Sequence, residues 1–278
     1  MLNGKFSVVI PAYNEAHFIE QNIIETVETF ESFGYDFEIV VVDDGSPDQT
    51  HLSAAKARLK HPERVRVVRY EENQGKGSAL ACGVKYAIGE YIVFLDADMD
   101  LHPSQLPVFF EIMELNAADA VIGSKWHPLS RVVYPPIRRL YSIGYYMLVR
   151  LLFGLPLRDT QTGLKLFRKS LLDDILPRMC EGKFAFDIEL LAIAHRRGFR
   201  IFDAPVTLDF RRAIGRLKGS VVWRMLLDTL TIFYRLRISK YYDRTFDVRH
   251  EPIAVRSARE LLLDDGGALA TRDMANYR

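Results

Sequence analysis

Short apolar runs alternate with stretches of helical periodicity through the first 124 residues of the chain. The runs are "FSVVIP", "FEIVVVDD", "RVRVVRY", "YIVFLDAD" and "DAVIGS", and the patterns between them predict helices over residues 15–33, 48–60, 77–88 and 104–116. Alternation of this kind predicts an α/β fold: a mostly parallel sheet flanked by helices on both faces. Strands that are apolar almost throughout, such as "IVVV", fit burial on both sides.

Ligands of open parallel sheets bind outside the carboxyl ends of the strands. Three of those ends read "PAYNE", "VDDGSPD" and "DADMD", all polar or turn-forming, and all able to face one crevice. If the extended conformation persists past Phe94, alternation places Asp96, Asp98 and Asp100 on one side of the backbone. Three such carboxylates repel one another unless a cation sits among them, and a hard divalent ion such as Mg²⁺ or Mn²⁺ prefers oxygen ligands. The other interpretation is that they cap the helix beginning in "HPSQLPVFFEIMEL".

After Ser124 the pattern changes. From Ala120 to Arg158 there are six Lys or Arg residues, Trp126 and four tyrosines, and no Asp or Glu. That combination suits a phosphate-bearing ligand or an anionic membrane surface. A further strand is expected in "GLKLFRK", helices over 170–178 and "FDIELLAIAHRRG", and a strand in "FRIFDAPVTLDF". A basic loop, "RRAIGRLKGS", leads to a helix over 220–240 in which Arg224, Asp228, Thr231 and Arg235 form a polar stripe. Its apolar face either lies in a membrane interface or packs on the domain. The expected organisation is a catalytic domain over 1–219, an amphipathic helix over 220–245, and a tail over 246–278 holding a short helix.

Composition narrows the classes. With 49% apolar residues in 278 the chain can bury a large core, and its net charge of +1 implies no global attraction to nucleic acid. Cys82 and Cys180 make no CxxC pair, which argues against a disulfide scaffold or structural zinc. No leader is visible at "MLNGKFSVVIP", and the apolar stretches at 140–157 and 221–238 are interrupted by charge, so a cytoplasmic, peripheral protein is expected. No GxGxxG follows the first strand, as a Rossmann dehydrogenase would require.

Taken in order, "VVIPAYNEA", "VVVDDGSPDQT", "FLDADMDLHP", "GSK", "DTQTGLKLFRK" and "FAFDIELLAIAHRRGFRI" resemble the inverting glycosyltransferases of family 2, and within them the dolichyl and polyprenyl-phosphate mannose or glucose synthases. The resemblance covers roughly residues 5–240 and implies a GT-A fold, with a Rossmann-like sheet. It implies a nucleotide-sugar donor, GDP-mannose or UDP-glucose, a polyprenyl-phosphate acceptor and a Mg²⁺ or Mn²⁺ cofactor. The alternative within the family is a sugar hydroxyl acceptor.

Carried over by position, the resemblance puts Pro11, Tyr13 and Glu15 at the nucleotide, with Val42 and Asp44 at the base or ribose. Asp96, Ala97 and Asp98 match the D-x-D metal motif; Asp100 stands where relatives often have Gln, as direct ligand, water-mediated ligand or cap. Lys76, in "NQGKGSAL", is a candidate to reach the donor. Lys125 stands where Arg is usual, which exchanges a bidentate contact for a point charge. Arg211 and Lys218 match cations that close over the diphosphate. For the acceptor, Arg131, Arg138 and Arg139 are candidates to hold a phosphate, Asp159 is the first candidate for an acidic catalytic participant and Asp187 the second. A phosphate nucleophile is already ionised at neutral pH, whereas a hydroxyl needs a base.

Overall fold

The computed structural model describes residues 2–132, 136–183, 185–208, 219–243 and 256–257. Its first half is β1 (Phe6–Ala12), α1 (Ile19–Phe33), β2 (Phe37–Asp43), α2 (Thr50–Lys60), β3 (Val65–Arg69), α3 (Lys76–Tyr86), β4 (Tyr91–Phe94), α4 (Leu106–Leu115) and β5 (Ala120–Ser124). There follow β6 (Arg131–Val132), α5 (Pro136–Phe153), β7 (Lys165–Arg168), α6 (Lys169–Ile175), α7 (Phe186–Arg196), β8 (Ile201–Pro205), β9 (Thr207–Leu208), α8 (Gly219–Phe233) and β10 (Arg256–Ser257).

Among the described residues eight strands make one sheet in the order β10, β3, β2, β1, β4, β7, β5, β8. The pairs of β1 with β2 and β4, of β2 with β3, and of β5 with β8 are parallel, as the apolar runs predict. β7 runs antiparallel between β4 and β5, and β10 pairs antiparallel at the edge of β3. Two cores result from strict alternation along β1: Phe6, Val8 and Ile10 join Ile23, Val27, Phe30 and Phe109 on one face, while Val9 joins Leu80, Ile92, Phe94 and Leu190 on the other.

Three elements depart from expectation. β4 stops at Phe94 and Met99 takes a left-handed φ of 58°, so the aspartates occupy a turn rather than alternating along a strand. The basic aromatic segment contains an 18-residue helix, α5, whose pattern is obscured by Gly144 and Arg150. Arg256–Ser257, in a tail where no strand is expected, pairs at the edge of β3; the stretch expected to hold a short helix lies outside the described residues. The expected helix over 220–240 is observed as α8 and a π turn over Tyr234–Ile238, packed on α5 through a Tyr145 to Thr229 hydroxyl contact of 3.0 Å and the Phe153–Phe233 ring pair. No helix among the described residues is long and apolar enough to cross a membrane.

Candidate active site

The loops leaving β1 and β2 are locked to each other. Asn14, at φ 58°, donates its N–H to Ser46 Oγ (3.1 Å), Glu15 N–H reaches Thr50 Oγ1 (2.8 Å), and Ala16 N–H reaches the Asp48 carboxylate (3.2 Å). Asp43 accepts the Ser46 N–H at 3.1 Å, a turn-capping role, with Arg69 Nε 3.5 Å away. Asp44 turns into the cleft and accepts the backbone N–H groups of Gln74 and Gly75, each at 2.8 Å. Burial holds its pKa above the ordinary value despite those two donors. Gly75 is required there: its φ is 100°, and a Cβ would stand 2.7 Å from the Gly182 carbonyl.

These loops, with the turn after β4, enclose a cleft of about 530 Å³ lined by Pro11, Tyr13, Glu15, Asp44, Lys76 and the Asp96–Ala97–Asp98 turn. Asn73, Lys183 and Arg224 complete its wall. Lys76 Nζ stands 2.5 Å from Asp96 Oδ1. Burial alone would lower the lysine, but the charges of Asp96, Asp187 and Asp98 raise it above its ordinary value. Burial opposes ionisation of Asp96 too, yet Lys76, Lys165 and Lys125 draw its pKa below the ordinary value. Asp98 is pushed up to about 6, first by burial and then by the charge of Asp96.

Asp96, Asp98 and Asp100 also line a second, smaller cavity of about 150 Å³ with Lys125, Gln161, Thr162 and Gly163. A Cβ at residue 163 would fall 2.1 Å from Asp96 Oδ2, so only glycine lets the loop before β7 approach this carboxylate. Among the described residues no three His, Cys, Asp or Glu side chains close around one metal position. The donor set is nonetheless the right chemistry for a hard divalent ion: mutually repelling carboxylates, Asp98 pushed up first by burial and then by the charge of Asp96, and access from the cleft. A Mg²⁺ or Mn²⁺ ion that keeps positions for donor phosphates fits it.

Lys125 and Gln161 continue into a third cavity with Trp126, Tyr145, Tyr146, Arg158 and Asp159. Buried Asp159 accepts the Lys125 N–H (3.2 Å) and the Gln161 N–H (2.9 Å), with Lys125 Nζ at 3.5 Å. Gln161 Nε2 is buried without a hydrogen-bond partner among the described residues. On its far side the loop is held by Asp203, which accepts the Arg158 N–H at 3.2 Å.

Not every expected residue reaches the cleft. Val42 is fully buried with Val40, Val68, Tyr70 and Ala79, because its position on β2 faces α3; its side chain cannot touch a base. Asp187 is 7% exposed and receives Lys165 Nζ at 2.8 Å; Lys165, 1% exposed, also donates to the Thr162 carbonyl. Asp187 lines none of the three cavities described above and is paired with Lys165, while its charge still raises Lys76 in the cleft. Arg131 stands exposed on β6, its N–H given to the Val206 carbonyl, and also lines none of them. Arg211 and Lys218 lie outside the described residues, as do the side chains of Arg138 and Arg139. Sequence reasoning missed Gln161, Lys165, Lys183 and Arg224; "DTQTGLK" held the signal for the first two.

Comparison with known proteins agrees with this geometry. Residues 7–176 match the model of glycosyl transferase family 2. Over 251 residues the chain is 30% identical to a dolichyl-phosphate beta-glucosyltransferase, ALG5C, of Trichomonas vaginalis, covering 85% of this chain and 73% of that one. It is 31% identical over 220 residues to the dolichyl-phosphate beta-glucosyltransferase of Saccharomyces cerevisiae, covering 72% and 66%. A 35% identical match to glycosyltransferase AglD of Haloferax volcanii covers 72% of this chain but only 32% of that protein. Among solved structures, glucosyl-3-phosphoglycerate synthase of Mycobacterium tuberculosis, crystallised with Mn²⁺, UDP-glucose and phosphoglyceric acid, superposes with a TM-score of 0.59 at 20% identity, covering 93% and 91%. Mannosyl-3-phosphoglycerate synthase from Rubrobacter xylanophilus gives 0.62 at 16%, covering 89% and 78%. The two structures share the GT-A fold with this chain; the sequence match and the carboxylate-lined cleft at the strand ends together place the protein in glycosyl transferase family 2, as a glycosyltransferase.

Proposed function

We propose that the protein moves glucose from UDP-glucose to a polyprenyl phosphate of the dolichyl type, at the cytoplasmic face of a membrane, with a divalent metal. The observation that carries this reading is the run of shared walls from the carboxylate-lined cleft, through Asp96 and Asp98, to a pocket bearing Lys125, Arg158 and aromatic rings. A donor phosphate fits the first and an acceptor phosphate the last. The names of the relatives favour glucose over mannose and a dolichyl phosphate over a sugar hydroxyl.

In this mechanism Asp96 and Asp98, with Asp100 on the rim, would hold the metal, which would supply charge neutralisation for the leaving diphosphate. Pro11, Tyr13 and Glu15 bound the nucleotide, and Asp44 sets the Gln74–Gly75 turn that carries Lys76. The attacking group is a phosphate oxygen; a phosphomonoester has its second pKa at about 6, so no side chain has to take a proton from it at pH 7. What it needs is placement opposite the leaving group. Lys125, Arg158 and the unpartnered Gln161 amide supply cations and a donor there, and Asp159 orients Lys125 and Gln161 rather than acting as a base.

Outward apolar side chains favour a lipid surface. Trp223, Leu227, Leu230, Tyr234 and Ile238 recur at helical spacing along α8 and its extension, and Met147 and Leu151 project from neighbouring α5, all exposed. The division into a catalytic unit, a membrane-facing helix and a tail belongs to the same proposal. Incubation with radiolabelled UDP-glucose or GDP-mannose, Mn²⁺ and polyprenyl phosphate in membranes tests it. Label from UDP-glucose is expected in a mild-acid-labile lipid. Transfer only to a sugar hydroxyl, or only from GDP-mannose, would overturn acceptor or donor respectively.

A further inference from the structure

The donor cleft is also lined by two cations that the mechanism above leaves without a role, Lys183 and Arg224. Lys183 belongs to the loop before α7; Arg224 belongs to α8, far along the chain. A buried carboxylate ties the two regions together. Glu189, fully buried on α7, accepts the N–H groups of Cys180 (3.0 Å) and Glu181 (2.8 Å) from the loop and the Tyr242 hydroxyl (2.5 Å) from beyond α8. Glu181 in turn receives Arg235 Nη1 at 2.7 Å from the π turn that extends α8. The loop is also pinned to the start of α3, since the Gly182 carbonyl accepts the Ser78 N–H at 3.0 Å. Lys183 and Arg224 therefore sit on one cross-linked assembly.

The chemistry facing them is anionic. A nucleotide diphosphate entering a cleft floored by Asp44, Asp96 and Asp98 meets like charge, and Lys76 is already engaged with Asp96. Further cations in the lining offset that repulsion, and a guanidinium does so with two parallel N–H groups. Arg224 has a further property of position. Around α8, Thr229, Ile232 and Leu236 are buried, Trp223, Leu227, Leu230 and Tyr234 face outward, and Arg224 lies on the flank between them, next in sequence to Trp223, which is 65% exposed. Whatever seats the outward stripe also fixes the angle at which Arg224 meets the cleft.

We infer that Arg224, with Lys183 of the same cleft, binds the donor diphosphate, and that α8 thereby couples contact with a lipid surface to donor affinity. This rests on the reading of a nucleotide-sugar donor and a membrane-facing α8, but not on the acceptor. The α8 helix is on this account a wall of the active site as well as a contact with lipid, and the enzyme holds donor more tightly where its lipid acceptor is found.

Calorimetric titration of the full chain with UDP and Mn²⁺, with and without neutral phosphatidylcholine vesicles, tests it. Vesicles are expected to tighten UDP binding by the wild type about fivefold, within the usual range of coupling between sites. Arg224→Gln should weaken UDP binding on vesicles about tenfold, the loss of one charge-assisted contact, and show no vesicle-dependent gain while still co-sedimenting with vesicles. Arg224→Lys should recover part of the affinity. The pair Trp223→Ser and Leu227→Ser should lose both sedimentation and the gain, and keep the affinity measured without vesicles. Wild-type UDP affinity in Arg224→Gln on vesicles, or an equal vesicle effect in both proteins, would overturn the inference. The glucosyl-transfer assay separates the two readings: the calorimetric pattern without transfer to polyprenyl phosphate removes the acceptor assignment and leaves Arg224 in place, whereas transfer with unaltered UDP binding by Arg224→Gln does the reverse.

Discussion

On the proposed donor wall the side chains leave the ends of β1, β2 and β4, neighbouring parallel strands, within about four residues of the last ladder pair. On the acceptor wall they come from the loop before β7, an antiparallel intruder, and from α5, and they are held by contacts between distant segments: Asp159 with Lys125, Asp203 with Arg158, Lys165 with Asp187. The first wall is placed by sheet register, which a two-residue period fixes along the whole strand. The second is placed by buried polar groups, each of which is costly if its partner is lost. Loss of a side chain should therefore cost mainly chemistry on the first wall and mainly folding stability behind the second.

The largest expected effect is on the donor wall. Asp98→Ala should lower the glucosyl-transfer rate by about 10³-fold, the scale of losing electrostatic stabilisation of a leaving group, without lowering stability in urea, since the native Asp98 carboxyl is already disfavoured by burial and by Asp96. Chelation should mimic it. Activity within tenfold of the wild type would break the assignment. Next, Asp187→Ala strands the Lys165 ammonium in the core and should destabilise the fold by about 3–5 kcal/mol. A stable, correctly folded Asp187→Ala protein devoid of activity would instead return Asp187 to the chemistry.

Gly163→Ala probes the place where the walls touch. A methyl 2.1 Å from the Asp96 carboxylate forces the loop or the aspartate aside, at a cost of about 1–3 kcal/mol, and should weaken Mn²⁺ binding measured by calorimetry. Full Mn²⁺ affinity in this variant would show that the loop before β7, and not Asp96, gives way. The smallest effect concerns Asp203, pushed up to about 6 by burial and then by the charge of Asp159, with Arg158 acting against the shift. The folded chain then binds more protons there than the unfolded one, so this residue's contribution to stability is present at low pH and is lost as pH rises from about 4 to about 6. Asp203→Asn can keep the Arg158 N–H contact and removes that loss: its stability relative to the wild type should improve by about 1–2 kcal/mol across the window in paired urea titrations. A pH-independent difference would reject the assignment.

Much of the donor wall could be read from the chain. Apolar runs ending in "PAYNE", "VDDGSPD" and "DADMD" were sufficient to bring Tyr13, Asp44, Asp96 and Asp98 to one crevice, because strand direction and burial are local consequences of side-chain pattern. Even here the turn at Met99 replaced the expected alternation of the aspartates, a backbone event that an apolar pattern does not encode. Val42 belonged to the same motif as Asp44, and its apolar side chain went to the core on the adjacent face.

Sequence by itself determined the α/β order, the parallel sheet core, the convergence of the donor carboxylates and the amphipathic character of α8. Tertiary structure decided which charges face a ligand and which face each other. Asp187 and Asp159 are both candidate acids along the chain, yet one is paired with the buried Lys165 and the other holds Lys125 at a cavity wall. Arg224, one member of a helical polar stripe, became part of the donor cleft only through the packing of α8 on α5 and the Glu189 contacts that join its extension to the Lys183 loop. Periodicity is a property of neighbours in sequence, whereas the partner of a buried charge is set by which distant segment fills the space beside it.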